Sequence, residues 1–241
     1  MRNPIVCVLF YFSLTIIFLV SCKKDTDVSV PDQSFVEEFD DIKAAMDSGW
    51  VFLNKSIPFD NNSTQWQEGS VSSSITAYSP KGSTTGFIST NYAATSSGEG
   101  IISNWAVSPH VIMQNGDKII FYTRGLAYPE RDFYRDFINR LQLRANVQND
   151  SADVGNGASV GSFETLLLDI NANYDEYSSD PDQEVPTAYP PEWTRFEATI
   201  SGLAAPVNGR FAFRYFLEGG GSDGRGSEVA IDSVAYVGIN Q

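Results

Sequence analysis

The sequence predicts an all-β fold: a two-sheet antiparallel β-sandwich of the jelly-roll type, with one or two short helices. Three observations carry this. From residue 34 onward apolar and polar residues alternate with period two, which puts successive side chains on opposite faces of a strand. Clusters of glycine, asparagine, serine and proline separate the alternating runs, as tight turns require. Helical periodicity is confined to two short segments.

The elements follow in chain order. Phe35–Phe39 opens the domain as a strand. Asp41–Ser48 has the composition of a short helix that stops at Gly49. Val71–Tyr78 (VSSSITAY) and Gly86–Tyr92 (GFISTNY) read as half-buried strands separated by a Pro-Lys-Gly-Ser turn. The IIFYTR run after Asp117-Lys118 fits a central strand. Glu130–Asn139 (ERDFYRDFIN) is the second helical candidate, with Phe133, Tyr134 and Phe137 available to pack. In Arg140–Arg144 the alternation turns Leu141 and Leu143 inward, and Glu164–Ile170 is a more continuously apolar strand. Trp193–Ile200, Arg210–Leu217 and Val229–Val237 bring the total to about ten strands, the number a sandwich needs. Within Arg210–Leu217 the side chains of Phe211, Phe213, Tyr215 and Leu217 share one face, while Arg214 points the other way.

Composition bounds the partners. Asp and Glu number 30 against 16 Lys and Arg, a formal net charge of −14. Such a surface repels nucleic acid, so no nucleic-acid partner is expected, and it offers carboxylates to calcium. The chain has only two cysteines, Cys7 and Cys22. Arg2 followed by the apolar run Ile5–Val20 has the form of a secretory signal, too short for a comfortable membrane span. The run ends in Leu19-Val20-Ser21-Cys22, which resembles the lipobox of bacterial lipoproteins. That resemblance implies cleavage before Cys22 and lipidation of Cys22, so residues 1–21 are a leader. Cys7 leaves with the leader, so the mature chain has no disulfide and its stability must come from the core. Residues 22–33 form a polar linker lifting one domain, residues 34–241, off the membrane. The Lys-Lys-Asp-Thr-Asp start of the linker loosely resembles surface-export signals, which implies an outer-membrane lipoprotein exposed at the cell surface.

Several segments together resemble the choice-of-anchor J and cleaved-adhesin group of β-sandwich domains. They are Glu38-Phe39-Asp40 with Gly49-Trp50, and Asn104-Trp105-Ala106-Val107-Ser108-Pro109 before the Gly-Asp-Lys turn into IIFYTR. Trp193-Thr194-Arg195-Phe196, the aromatic strand Arg210–Tyr215 and the closing Ala230-Ile231-Asp232-Ser233-Val234 complete the pattern, which spans residues 34 to 240. Domains of this group are similar to MAM domains and carbohydrate-binding modules. The resemblance implies a calcium site joining the first and last strands, mapped here to Asp40 and Asp232 with Glu38. It departs from the group in having Asp232-Ser233 where two aspartates often stand, which removes a ligand. Trp50, Trp105 and Trp193 fall at positions that are structural in the group.

A glycan site needs flat rings to stack on sugar faces and polar groups to hold hydroxyls. Trp66, in the polar stretch Asn61–Gln67, and Tyr174 and Tyr177, in the acidic loop from Asn171 to Glu184, are the candidates, with Tyr128 and Tyr189 as further loop rings. Catalysis finds little support. His110 is the only histidine and no Gly-x-Ser-x-Gly elbow accompanies it. Glu37 and Glu38 are adjacent, so in a strand they face opposite ways and cannot act as a pair. The loop Glu218–Gly226 is glycine-rich but joins two strands, so it fits a hairpin at the sandwich rim rather than a phosphate loop. The expected function is a lipid-anchored, non-catalytic binding module for glycans or surface ligands. A docking subunit of an envelope complex is the alternative, ahead of a glycoside hydrolase.

Overall fold

The computed structural model describes residues 30–79, 83–130, 132–183 and 185–239. The expected leader, Cys22, most of the linker and the turn at 80–82 lie outside the described residues.

The first half of the domain contains β1 (Phe35–Glu37), α1 (Ile42–Asp47), β2 (Val51–Asn54), β3 (Gln67–Glu68) and β4 (Ile88–Asn91). A 3-10 turn at Tyr92–Ala94 leads into β5 (Gly100–Val107), then β6 (Val111–Met113) and β7 (Lys118–Gly125). A small hairpin, β8 (Tyr128–Glu130) and β9 (Phe133–Arg135), follows, then β10 (Leu141–Asn146) and β11 (Thr165–Ile170). The chain closes with β12 (Thr194–Thr199), β13 (Val207–Gly220) and β14 (Glu228–Val237). The strands form two antiparallel sheets. The first has the order β12-β7-β14-β4-β3, with β1 also on β14; the second has β11-β10-β13-β5-β2, with β6 also on β13.

The alternation read in the sequence decides the packing. Phe211, Phe213, Tyr215 and Leu217 project from β13 into the space between the sheets, where they meet Ile119, Phe121, Val229, Ile231 and Val234. Leu141 and Leu143 join them, as their spacing predicts. The rings interlock edge to face: Phe121 on Phe213 at 4.8 Å and Phe39 on Trp50 at 5.0 Å. The opposite face of β13 is also covered. Arg214 is buried there, with its guanidinium 4.9 Å from the Trp105 ring and 3.8 Å from that of Phe216. It donates to the carbonyls of Gly157 and Ser159, and so fastens the loop between β10 and β11 over the second sheet. α1 starts at Asp41, whose carboxylate accepts the amides of Lys43 and Ala44, and Gly49 ends it at φ +109°.

Two expectations are corrected. Val71–Tyr78 is not a strand. Its backbone donors go to carboxylates of β14 instead of a neighbouring ladder: Val71 and Ser72 donate to Glu228, and Tyr78 to Asp232. Glu130–Asn139 is not helical. Its described part runs from the end of β8 through a turn into β9 and an irregular stretch, because the Tyr134 amide donates to Ser179 and its carbonyl accepts from the Ser179 amide, locking the backbone extended.

Candidate ligand-binding site

All the loops that leave β2, β4, β7, β11 and β13 emerge at one end of the sandwich, as antiparallel pairing requires. Exposed aromatic rings gather there. Tyr92 (37% exposed) sits on the 3-10 turn, whose start is fixed by Asn91 accepting the Ala93 amide. Tyr128 (37%) lies on β8, and Phe137 (55%) follows β9, with its ring 5.4 Å from that of Tyr128. The three rings and the glycine-rich hairpin, through Gly221, Ser222, Gly224 and Gly226, line a groove of about 390 Å³. Its wall residues Tyr92 and Ser222 also bound a polar cleft of about 320 Å³ with Asp60, Asn62, Ser96 and Ser97. On the other side, Tyr128 and Phe137 bound a depression of about 380 Å³ with Arg135, Asp136 and Glu176. The three hollows therefore run together along the rim, with rings at the centre and hydrogen-bonding groups at both ends.

Local structure holds the rim rigid. Gly226, at φ +117°, donates its amide to the Phe137 carbonyl at 2.6 Å. The next anchor is Asn139, which accepts from the Tyr215 hydroxyl and the Ser227 amide and donates to the Ser227 hydroxyl. Asp136 accepts the Tyr177 amide at 2.9 Å, and Arg135 pairs with Glu176 at 2.5 Å, so the hairpin is sewn to the segment after β11. Burial, with a smaller push from Glu176, raises the Asp136 carboxyl to about 6.

The sequence-predicted rings fare differently. Trp66 is buried in the core between the sheets, so it is not an exposed platform; its indole area is worth more there than in solvent. Tyr189 is likewise buried, with its hydroxyl against Thr123. Tyr174 is half-buried and stacked under the guanidinium groups of Arg140 and Arg225, and its hydroxyl accepts from Arg140. It braces the loop and does not line the groove. Tyr177 contributes its backbone to Asp136 and is not a groove ring either. Tyr128 is in the groove. Tyr92 and Phe137 line the groove without having been singled out, although the aromatic-rich stretch around Phe133–Phe137 and the glycine hairpin bordering it are visible signals. His110 is exposed and lines none of the three hollows.

The expected metal residues are only partly brought together. The Ser233 hydroxyl donates to Glu38 and the Ser233 amide to Asp232, so Ser233 bonds to both carboxylates. Asp232 also accepts the amides of Tyr78 and Ser79, and burial raises it to about 6, with Glu38 adding to the rise. Asp40 is exposed and lies against Gly86. Among the described residues, no three carboxylate, histidine or cysteine side chains gather closely enough to hold a metal ion.

No known protein-family model matches the chain, and no curated protein matches it. Solved structures do. The K3 cleaved adhesin domain of Lys-gingipain from Porphyromonas gingivalis aligns with a TM-score of 0.52 at 13% identity, over 86% of this chain and 100% of that one. The K1 cleaved adhesin domain of the same protein aligns at 0.49 and 16% identity, over 84% and 96%. A third, TmCBM61 in complex with beta-1,4-galactotriose, aligns at 0.39 and 13%, over 84% and 95%. At these identities the likeness is one of fold, a two-sheet antiparallel β-sandwich.

Proposed function

We propose that this protein is a non-catalytic glycan-binding module carried at the bacterial cell surface. The observation that carries this reading is the contiguous rim groove, with Tyr92, Tyr128 and Phe137 at its centre and polar side chains at both ends. Exposed rings cost solvation unless something covers them, and a sugar face with its axial C–H groups is the flat, amphipathic partner that such rings fit. The fold shared with the K3 cleaved adhesin domain of Lys-gingipain supports the same reading. Binding without hydrolysis is favoured because the groove lacks a free carboxylate pair: Glu176 is held by Arg135, which leaves Asp136 without a second carboxylate to work with.

Anchoring belongs to this proposal. The lipobox-like Leu19-Val20-Ser21-Cys22 supports a lipid on Cys22 and an outer-membrane location, with residues 23–33 as the tether. Mass spectrometry of the N-terminal peptide of the mature protein tests it: a diacylated or triacylated Cys22 is expected, and an unmodified one would remove the anchor. Calcium also belongs here, in reduced form. Glu38 and Asp232 supply two of its oxygen ligands, and a divalent cation between them would relieve the repulsion of two carboxylates held near Ser233.

A protein ligand is the second reading, and one observation favours it. Phe133 and Tyr134 on β9 are exposed but outside the groove lining, where a partner's apolar surface would cover them. A glycan array probed with the full-length chain in mild detergent separates the two. Binding that Phe137→Ala abolishes supports the glycan reading; silence from folded protein supports a docking subunit.

A further inference from the structure

The proposed glycan groove contains one polar group that the fold leaves incomplete. Asp136 is 4% exposed, yet it lines the depression beside Tyr128 and Phe137. Its Oδ1 accepts the Tyr177 amide and the backbone amides of Ile138 and Asn139 also approach the carboxylate, whereas its buried Oδ2 has no hydrogen-bond partner of good geometry among the described residues. Buried polar atoms are nearly always paired in native proteins, and an unpaired carboxylate oxygen is among the costliest exceptions. Asp136 is one of the residues that line a hollow walled by two aromatic rings.

Resting on the rim reading, we infer that Asp136 sets the ligand class: the groove takes a neutral glycan, one of whose hydroxyls donates to Asp136 Oδ2. The charges facing Asp136 explain the choice. Arg135 alongside it is paired with Glu176 from the segment after β11, so that pair contributes no net charge. Tyr128 on β8 and Tyr215 on β13 are the other titratable groups near it, and both are neutral at ordinary pH, each raised by burial. The depression therefore carries the single negative charge of Asp136. A uronate or sulfate group would meet that charge across a low-dielectric gap, while a hydroxyl makes a charge-assisted hydrogen bond to it. The same geometry gives the site a pH dependence. Because burial holds the carboxyl at about 6, it is an ionised acceptor at pH 7.5 and a protonated one at pH 5.

The test titrates the full-length chain in mild detergent with a panel of neutral plant and microbial polysaccharides, and with polygalacturonate as the acidic counterpart. Expected is binding to at least one neutral polymer and none to polygalacturonate. Affinity should fall about tenfold in Asp136→Asn and several-fold in the wild type between pH 7.5 and 5, with the pH dependence gone in the variant. The asparagine keeps an oxygen for the Tyr177 amide, and circular dichroism checks that the variant folds. If Asp136→Asn binds as tightly and the pH profile is flat, while Phe137→Ala still abolishes binding, Oδ2 faces water and the inference is overturned with the rim reading intact. Preference for polygalacturonate overturns it as well. Retained binding in Phe137→Ala, or silence across the whole panel, overturns the rim reading and this inference with it.

Discussion

The amide of Gly226 donates to the carbonyl of Phe137 at 2.6 Å, so the end of the glycine-rich hairpin and the exposed ring of the groove are one mechanical unit. Gly226 sits at φ +117°, and a Cβ there would come within 2.7 Å of the Tyr215 hydroxyl and 3.1 Å of Tyr92 Cβ. Gly226→Ala is therefore expected to cost about 2 kcal/mol or more, through backbone strain and the clash together. It should also displace Tyr92 and Phe137. Thermal unfolding checks the first effect, and a wild-type melting temperature would show that the hairpin yields without cost.

Trp66 and Tyr92 are both aromatic residues in polar surroundings of the sequence, but the fold uses them oppositely. Trp66→Ala empties a core site and should cost about 3–5 kcal/mol. Tyr92→Ala, at a partly exposed ring, should cost under about 1 kcal/mol. Equal denaturation midpoints for the two variants would contradict this assignment.

Stability should rise on mild acidification. Asp136 and Asp232 are each raised to about 6 from 3.8, mainly by burial. A raised carboxyl binds its proton more tightly in the native state, so ionisation costs stability. That cost is complete above about pH 6 and is relieved as pH falls toward 4, on the order of 2–3 kcal/mol for each group. The melting temperature should climb between pH 7.5 and 5, and the climb should shrink in Asp232→Asn. A melting temperature that falls across this window would refute the assignment.

Calcium bound as proposed between Glu38 and Asp232 would compete with the proton on Asp232. Added calcium is expected to raise the melting temperature at pH 7.5, to do so less at pH 5, and to have no effect in Glu38→Gln or Asp232→Asn. The absence of any calcium shift in the wild type would leave Glu38 and Asp232 with their hydrogen bonds to Ser233 alone.

The sandwich was readable because period-two alternation records which face of each strand is buried. Phe211, Phe213, Tyr215 and Leu217 pack inward as their spacing requires, and Asp41 and Gly49 bound a real helix. The failures have physical causes. Val71–Tyr78 alternates like a strand, but Glu228 and Asp232, more than 150 residues away, capture its amides. Glu130–Asn139 looks helical locally, yet its bonds to the segment Glu176–Ser179 override propensity. The site was the least legible part. Tyr174 and Trp66 have the same polar neighbours as a true platform, and only burial separates a brace under Arg140 from a ring that meets a ligand.

Comparative binding by rim variants decides whether the Tyr92–Tyr128–Phe137 rim holds glycan. Full-length protein in mild detergent, with Tyr128→Ala, Phe137→Ala and Tyr174→Phe variants, is titrated with the polysaccharide that the array selects. Both rim variants are expected to lose binding while keeping their melting temperatures, and Tyr174→Phe, which preserves the ring under Arg140, to bind like the wild type. Binding that survives both rim substitutions in folded protein would contradict the glycan reading of the rim.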